Sequence, residues 1–135
     1  MNDVKLSWEG GLRFLATGSS PVPVRIDGDR HEGASPMEMV LEALGGCTSI
    51  DVVAILNKMR QPLDRFEIQL SGTRRDTDPK AYTAIEITFN LWGEGLEKER
   101  VSRAVELSLN KYCSVFHSLS KDIKITSKIR INPQS

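Results

Sequence analysis

The chain has 135 residues, 39% of them hydrophobic and 27% charged, with 18 basic and 18 acidic side chains that cancel. That is one core's worth of sequence, so a single domain over 1–135 is expected; collagen-like, disordered and low-complexity chains are excluded, and with no basic excess nucleic acid is not an expected partner. No stretch reads as the roughly 20 apolar residues that span a bilayer, and MNDVKLSWEGG at the start has no apolar signal region, so a cytoplasmic protein without a membrane partner is expected.

The first elements read as short strands. VKLSW (4–8), the turn Glu9-Gly10-Gly11 and LRFLAT (12–17) form a hairpin pattern, and VPVRI (22–26) follows as a third strand whose prolines place it at an edge or a strand start. Ser35-Pro36-Met37-Glu38 then gives the clearest helix start: Ser at the N-cap, Pro at N1 and Glu at N3. The helix runs to Lys58-Met59-Arg60 before Pro62, about 24 residues or about 36 Å at 1.5 Å per residue. Val40, Leu41, Ala43, Leu44, Cys47, Ile50, Val52, Val53, Ala54, Ile55 and Leu56 leave it almost no polar face. A helix apolar all round must be buried all round, which a small domain cannot do alone, so an obligate homodimer is expected. Gly45-Gly46 weakens the helix by about 1 kcal/mol per Gly relative to Ala, which implies close approach of another element or a kink before Cys47.

FEIQLSGTR (66–74) and YTAIEITFNLW (82–92) alternate apolar and polar residues, as strands of an antiparallel sheet with one solvated face do. A second, amphipathic helix is expected from about Leu96 to Ser120, and DIKITSKIRI (122–131) closes the chain as a strand. The order β-β-β-α-β-β-α-β predicts an α+β domain whose mainly antiparallel sheet packs on two helices.

Two cysteines carry the chemical interest. Cys47 lies mid-helix among apolar neighbours and Cys113 lies in the second helix. They are either buried packing residues or a redox pair, which needs one accessible thiolate and a second thiol within reach. His117, four residues after Cys113, either lowers that thiol's pKa or is a partly exposed His near a helix C-terminus. Asp51, one turn after Cys47, needs a partner if buried. As an anion it would raise a neighbouring thiol pKa, so a structural bond to a Lys, an Arg or a backbone N–H is expected. Glu38 is already explained as N3 of the capping box. Trp8, Phe14, Trp92 and Phe116 are core or the lining of an apolar pocket. The two Cys and two His show no paired ligand spacing, so a zinc site is not expected.

The run Ser35-Pro36-Met37-Glu38-Met39-Val40-Leu41-Glu42-Ala43-Leu44-Gly45-Gly46-Cys47-Thr48-Ser49-Ile50-Asp51-Val52-Val53 resembles the first-cysteine motif of the OsmC/Ohr superfamily, and Glu106 to Val115 around Cys113 resembles its second. Trp8-Glu9-Gly10-Gly11-Leu12 fits the first hairpin, so the resemblance covers essentially the whole chain; the Gly-Gly-Cys followed by Ile-Asp-Val-Val is closest to the YhfA-like branch. The resemblance implies the OsmC-like fold, as an intertwined homodimer with the Cys-bearing helices at its centre. It further implies a Cys-based organic hydroperoxide reductase in oxidative stress defence, whose chemistry needs no metal or organic cofactor. Cys47 would be peroxidatic and Cys113 resolving, and an external dithiol would regenerate them. The peroxidases of the family pair an Arg from the first hairpin with a Glu directly after the helix-start Pro. Here Met37 holds that position and Glu38 comes one residue, about 100°, later. Arg13 is the nearest candidate for the Arg. The alternatives are a non-enzymatic protein that binds a small apolar molecule at the dimer interface, with structural thiols, and a redox sensor.

Overall fold

The computed structural model describes residues 1–134. The elements follow the expected order: β1 (Lys5–Trp8), β2 (Arg13–Thr17), β3 (Val24–Asp27), α1 (Pro36–Lys58), β4 (Arg65–Arg74), β5 (Tyr82–Trp92), α2 (Lys98–Leu107), α3 (Ser114–Ser118) and β6 (Lys124–Ile131). The chain divides into two compact units, with the boundary inside α1 between Glu42 and Ala43.

The first unit is a three-stranded antiparallel sheet, β1-β2-β3, leading to the start of α1. Gly10 and Gly11, at φ 98° and 55°, supply the left-handed turn between β1 and β2, and the Trp8 indole N–H donates to the Gly11 carbonyl at 2.9 Å. The register Trp8↔Phe14↔Ile26 and Leu6↔Ala16↔Val24 gathers the apolar side chains on one face, where Leu6, Trp8, Phe14 and Val24 are exposed. Asp27 is buried, and its carboxylate accepts from the N–H groups of Asp29, His31 and Glu32, which organises the loop before the helix and holds its pKa low. The capping box forms as expected: the Glu38 carboxylate accepts from the Ser35 N–H at 3.1 Å and the Glu38 N–H donates to the Ser35 hydroxyl at 3.3 Å.

The second unit packs the rest of α1, with α2, against the sheet β4-β5-β6. The alternation of β5 is expressed in full: Ile85, Ile87, Phe89 and Leu91 are buried, joined in the core by Leu44, Val52 and Leu56 of α1 and Val101, Ala104 and Val105 of α2. Gly45 is a close approach, since a Cβ there would lie 2.7 Å from Leu70 Cδ1 on β4. Gly46 is different: among the described residues nothing beyond the helix's own backbone stands within 4 Å of the corresponding position.

Three expectations change. The strands form two three-stranded sheets rather than one, and β6 runs parallel to β5 because the helical segment between them crosses over. The second helix is not continuous. After α2 the backbone widens into a π-helical turn, Ser108–Tyr112, then leaves helical geometry at Cys113 (φ −74°, ψ 99°) before α3 begins. Finally, α1 is by length and composition alone apolar enough to cross a bilayer, against the sequence expectation. It buries Leu44, Thr48, Val52 and Leu56 in the second unit and leaves Ile50 and Val53 exposed.

Candidate functional site

Cys47 and Cys113 come together, with Asp51 beside them. The two sulfurs and a carboxylate oxygen of Asp51 all lie within 4.8 Å of one another. Both thiols are free; Cys47 and Asp51 are half-buried and Cys113 is fully buried. Helix periodicity places Cys47 and Asp51 one turn apart on α1. Between them Thr48, fully buried, satisfies its hydroxyl on the Leu44 and Gly45 carbonyls, at 3.1 Å each.

The π-helical turn delivers Cys113. The Cys113 N–H donates to the Ser108 carbonyl five residues back, at 2.7 Å, and so closes the wide turn. Such turns recur at functional sites because the extra residue re-aims the residues beyond it. Here the chain emerges extended at Cys113, and its sulfur becomes the N-cap of α3, accepting the Phe116 N–H at 3.3 Å. Ser108 opens the same turn. Its hydroxyl, fully buried, donates to Asp51 Oδ2 at 2.8 Å. Asp51 is therefore held by a serine and not by the Lys, Arg or backbone N–H expected. The three donors, one of them engaged by Ser108, are one fewer than the four protein ligands of a closed structural zinc site.

Burial pushes the Cys113 thiol up to about 11, and the neighbouring Cys47 and Asp51 add to that, against the Phe116 N–H, which favours the thiolate. The fold thus holds this proton more tightly than the unfolded chain, whose thiol titrates near 9. Its contribution to stability is complete below that value and is lost as pH rises toward 11. Urea unfolding of a Cys113→Ala variant should accordingly show a flatter decline between pH 9 and 11 than the parent; parallel declines would contradict the shift.

The other candidates lie elsewhere. Arg13 is half-buried and pairs with Glu32 at 3.1 Å. Glu38 is exposed and committed to Ser35, whose N–H and hydroxyl lower its pKa. The first unit therefore does not join Arg13 to Glu38; each has its own partner. His117 is exposed and its Nε2 faces the Leu109 carbonyl at 3.0 Å, not the Cys113 sulfur, because the break at Cys113 makes the cysteine a cap rather than part of the same helix. Trp92 is engaged by the Pro133 carbonyl and the Arg65 guanidinium, Trp8 and Phe14 are exposed on the first sheet, and Phe116 donates its N–H to the thiol while its ring meets His117. Sequence reasoning misses Ser108. Its bond to Asp51 spans 57 residues and leaves no local signal.

The comparisons agree with this architecture. The family model described as OsmC-like protein matches residues 27–128. Protein YhfA of Escherichia coli K12 is 42% identical over 128 residues, 94% of this chain and 96% of YhfA. A hypothetical protein from Aquifex aeolicus VF5, of solved structure, is 32% identical with a TM-score of 0.86, over 98% of each chain. An organic hydroperoxide resistance protein OsmC from Legionella pneumophila shares the fold at 10% identity, with a TM-score of 0.70 over 96% of each chain.

Proposed function

Since this chain belongs to the OsmC-like family, we propose that it is a thiol-dependent organic hydroperoxide reductase of oxidative stress defence, with Cys47 peroxidatic and Cys113 resolving. The observation that carries this reading is the convergence of two free thiols, one from α1 and one from the break before α3, within 4.8 Å of each other. The division of labour follows from burial. Cys47, half-buried, offers its sulfur to a substrate, while Cys113 is fully buried and stays protonated at neutral pH. The Cys47 thiolate attacks the O–O bond; an S–O bond forms, the alcohol leaves, and the sulfenic acid remains. Cys113 condenses with it to a disulfide, and an external dithiol restores both thiols by exchange.

The likeness of the Legionella pneumophila protein, whose name includes organic hydroperoxide resistance, supports the choice of substrate class. A second copy of the chain is the proposed partner. Ile50 and Val53 of α1 are 72% and 47% exposed, and the first sheet leaves Leu6, Trp8, Phe14 and Val24 uncovered; both are apolar surfaces that an intertwined homodimer buries. A cytoplasmic location is part of this proposal, since that compartment keeps a thiol pair reduced between turnovers.

The test is the consumption of cumene hydroperoxide with dithiothreitol as reductant. The parent is expected to exceed the dithiol background at least about 10-fold, in the range ordinary for acid–base and nucleophilic catalysis, and Cys47→Ser is expected to fall to background. Turnover by Cys47→Ser at the parent's rate would overturn the reading. One observation favours the second reading, a binder of small apolar molecules with structural thiols: Arg13 and Glu38, the candidates for the family's activating pair, are engaged with Glu32 and Ser35. Under that reading iodoacetamide alkylates Cys47 at neutral pH no faster than it does a free thiol.

A further inference from the structure

The condensation step has a difficulty that the thiols alone do not solve. Cys113 attacks as a thiolate, yet burial beside Cys47 and Asp51 holds its proton tightly, so little thiolate is present at neutral pH. The oxygen leaving Cys47 also needs a proton, since hydroxide is a poor leaving group. One group beside both sulfurs can do both jobs. A carboxylate oxygen of Asp51 lies within 4.8 Å of each, and the Ser108 hydroxyl donates to Oδ2 and so fixes the carboxylate in place. Among the described residues no other titratable group is placed for it. His117 is turned to the Leu109 carbonyl, and the influences on Cys113 are Cys47, Asp51 and the Phe116 N–H.

Resting on the peroxidase reading, we propose that Asp51 is a catalytic residue of the resolving step: it takes the Cys113 proton as that sulfur attacks the Cys47 sulfenic acid, and passes the same proton to the departing oxygen. The Cys113 S–H bond breaks, the sulfur–sulfur bond forms, and the Cys47 S–O bond breaks. Hydroxide leaves with the proton as water, and the carboxylate is regenerated. The electrons balance within the pair, for Cys113 is oxidised by the amount that the sulfenic sulfur is reduced. Ser108 is the positioning residue. Its own bond comes from the wide turn that also sets Cys113, so base and nucleophile are held by one device.

The experiment separates this step from the reaction with peroxide. Reduced protein is mixed with cumene hydroperoxide, and the Cys47 sulfenic acid (trapped with dimedone) and the later disulfide are followed by mass spectrometry. In parallel, Ellman's reagent loads Cys47 with thionitrobenzoate, and the second thionitrobenzoate, released when Cys113 attacks, is timed without any peroxide. Asp51→Asn is expected to slow disulfide closure in both assays about 100-fold or more near pH 7, within the range of general acid–base catalysis. Its rate should climb about 10-fold per pH unit toward the thiol pKa, because free thiolate has become the nucleophile, while the parent's profile stays flatter. Asp51→Ser, which keeps an acceptor for Ser108 but no base, should show the same slope, and Asp51→Glu should restore the flatter profile. Closure as fast as the parent's in Asp51→Asn and Asp51→Ser, or slowing by one factor at every pH, would overturn the inference. A parent that ignores hydroperoxide but releases the second thionitrobenzoate in an Asp51-dependent way would overturn the peroxidase reading and leave Asp51 as the base of thiol exchange.

Discussion

A Cys113→Ser protein should consume one equivalent of organic hydroperoxide per chain and then stop. Cys47 would be left as a sulfenic acid, seen as one added oxygen by mass and trapped by dimedone. With dithiothreitol present, steady turnover should fall about 100-fold or more, because a bimolecular attack replaces a neighbouring thiol already held in place. Serine suits this test for a structural reason. Cys113 caps α3 by accepting the Phe116 N–H on its sulfur, and serine is among the favoured N-cap residues, so its hydroxyl can accept the same bond. Lost turnover in this variant therefore reports chemistry and not a melted helix, and far-ultraviolet circular dichroism checks that α3 survives. Turnover at the parent's rate would show that the second thiol resolves nothing, and would move Cys113 into the packing of the second unit.

The features legible in the sequence are the ones encoded locally. Ser35 to Glu38 carry a whole helix start within four residues, and the structure makes those bonds. Ile85, Ile87, Phe89 and Leu91 announce a strand by alternation, and all four are buried. Gly45 is readable as a close approach, though not the neighbour, Leu70, that it serves. The break at Cys113 is not readable. The apolar spacing continues through it from Val101 to Leu119, and the π-helical turn keeps that pattern while inserting one residue into the bonding ladder. For the same reason the sequence places His117 on a helix face with Cys113, where the structure does not. The parallel pairing of β6 and the bond between Ser108 and Asp51 depend on tertiary packing, and alternation or helical spacing reads the same with or without them. The cysteines stand out by type and by family motif; their meeting is a fact of three dimensions alone.

Ile50→Arg should convert the proposed dimer into monomers at micromolar concentration, with the dissociation constant raised about 1,000-fold as read by sedimentation velocity. The argument begins at Gly46. A glycine inside a helix costs about 1 kcal/mol relative to alanine, and the neighbouring Gly45 has its reason in Leu70, whereas among the described residues nothing beyond the helix's own backbone stands within 4 Å of a Cβ at Gly46. Gly46, Ile50 and Val53 follow one another at i, i+4 and i+7 and so share one stripe of α1, and Ile50 is 72% exposed. A stripe of glycine and large aliphatic residues suits a second helix laid closely against it, and a two-fold axis presents the same stripe from both copies. A substitution there enters the interface twice. Two guanidinium groups that lose water without gaining partners cost several kcal/mol, which at about 1.4 kcal/mol per factor of ten gives the expected loss. Gly46→Leu should act in the same direction by holding the helices apart, although in a lone chain it would raise helix propensity. That opposition decides the matter. A dimer predicts weaker association and a lower melting temperature for Gly46→Leu, whereas a monomer predicts unchanged mass and a slightly more stable fold.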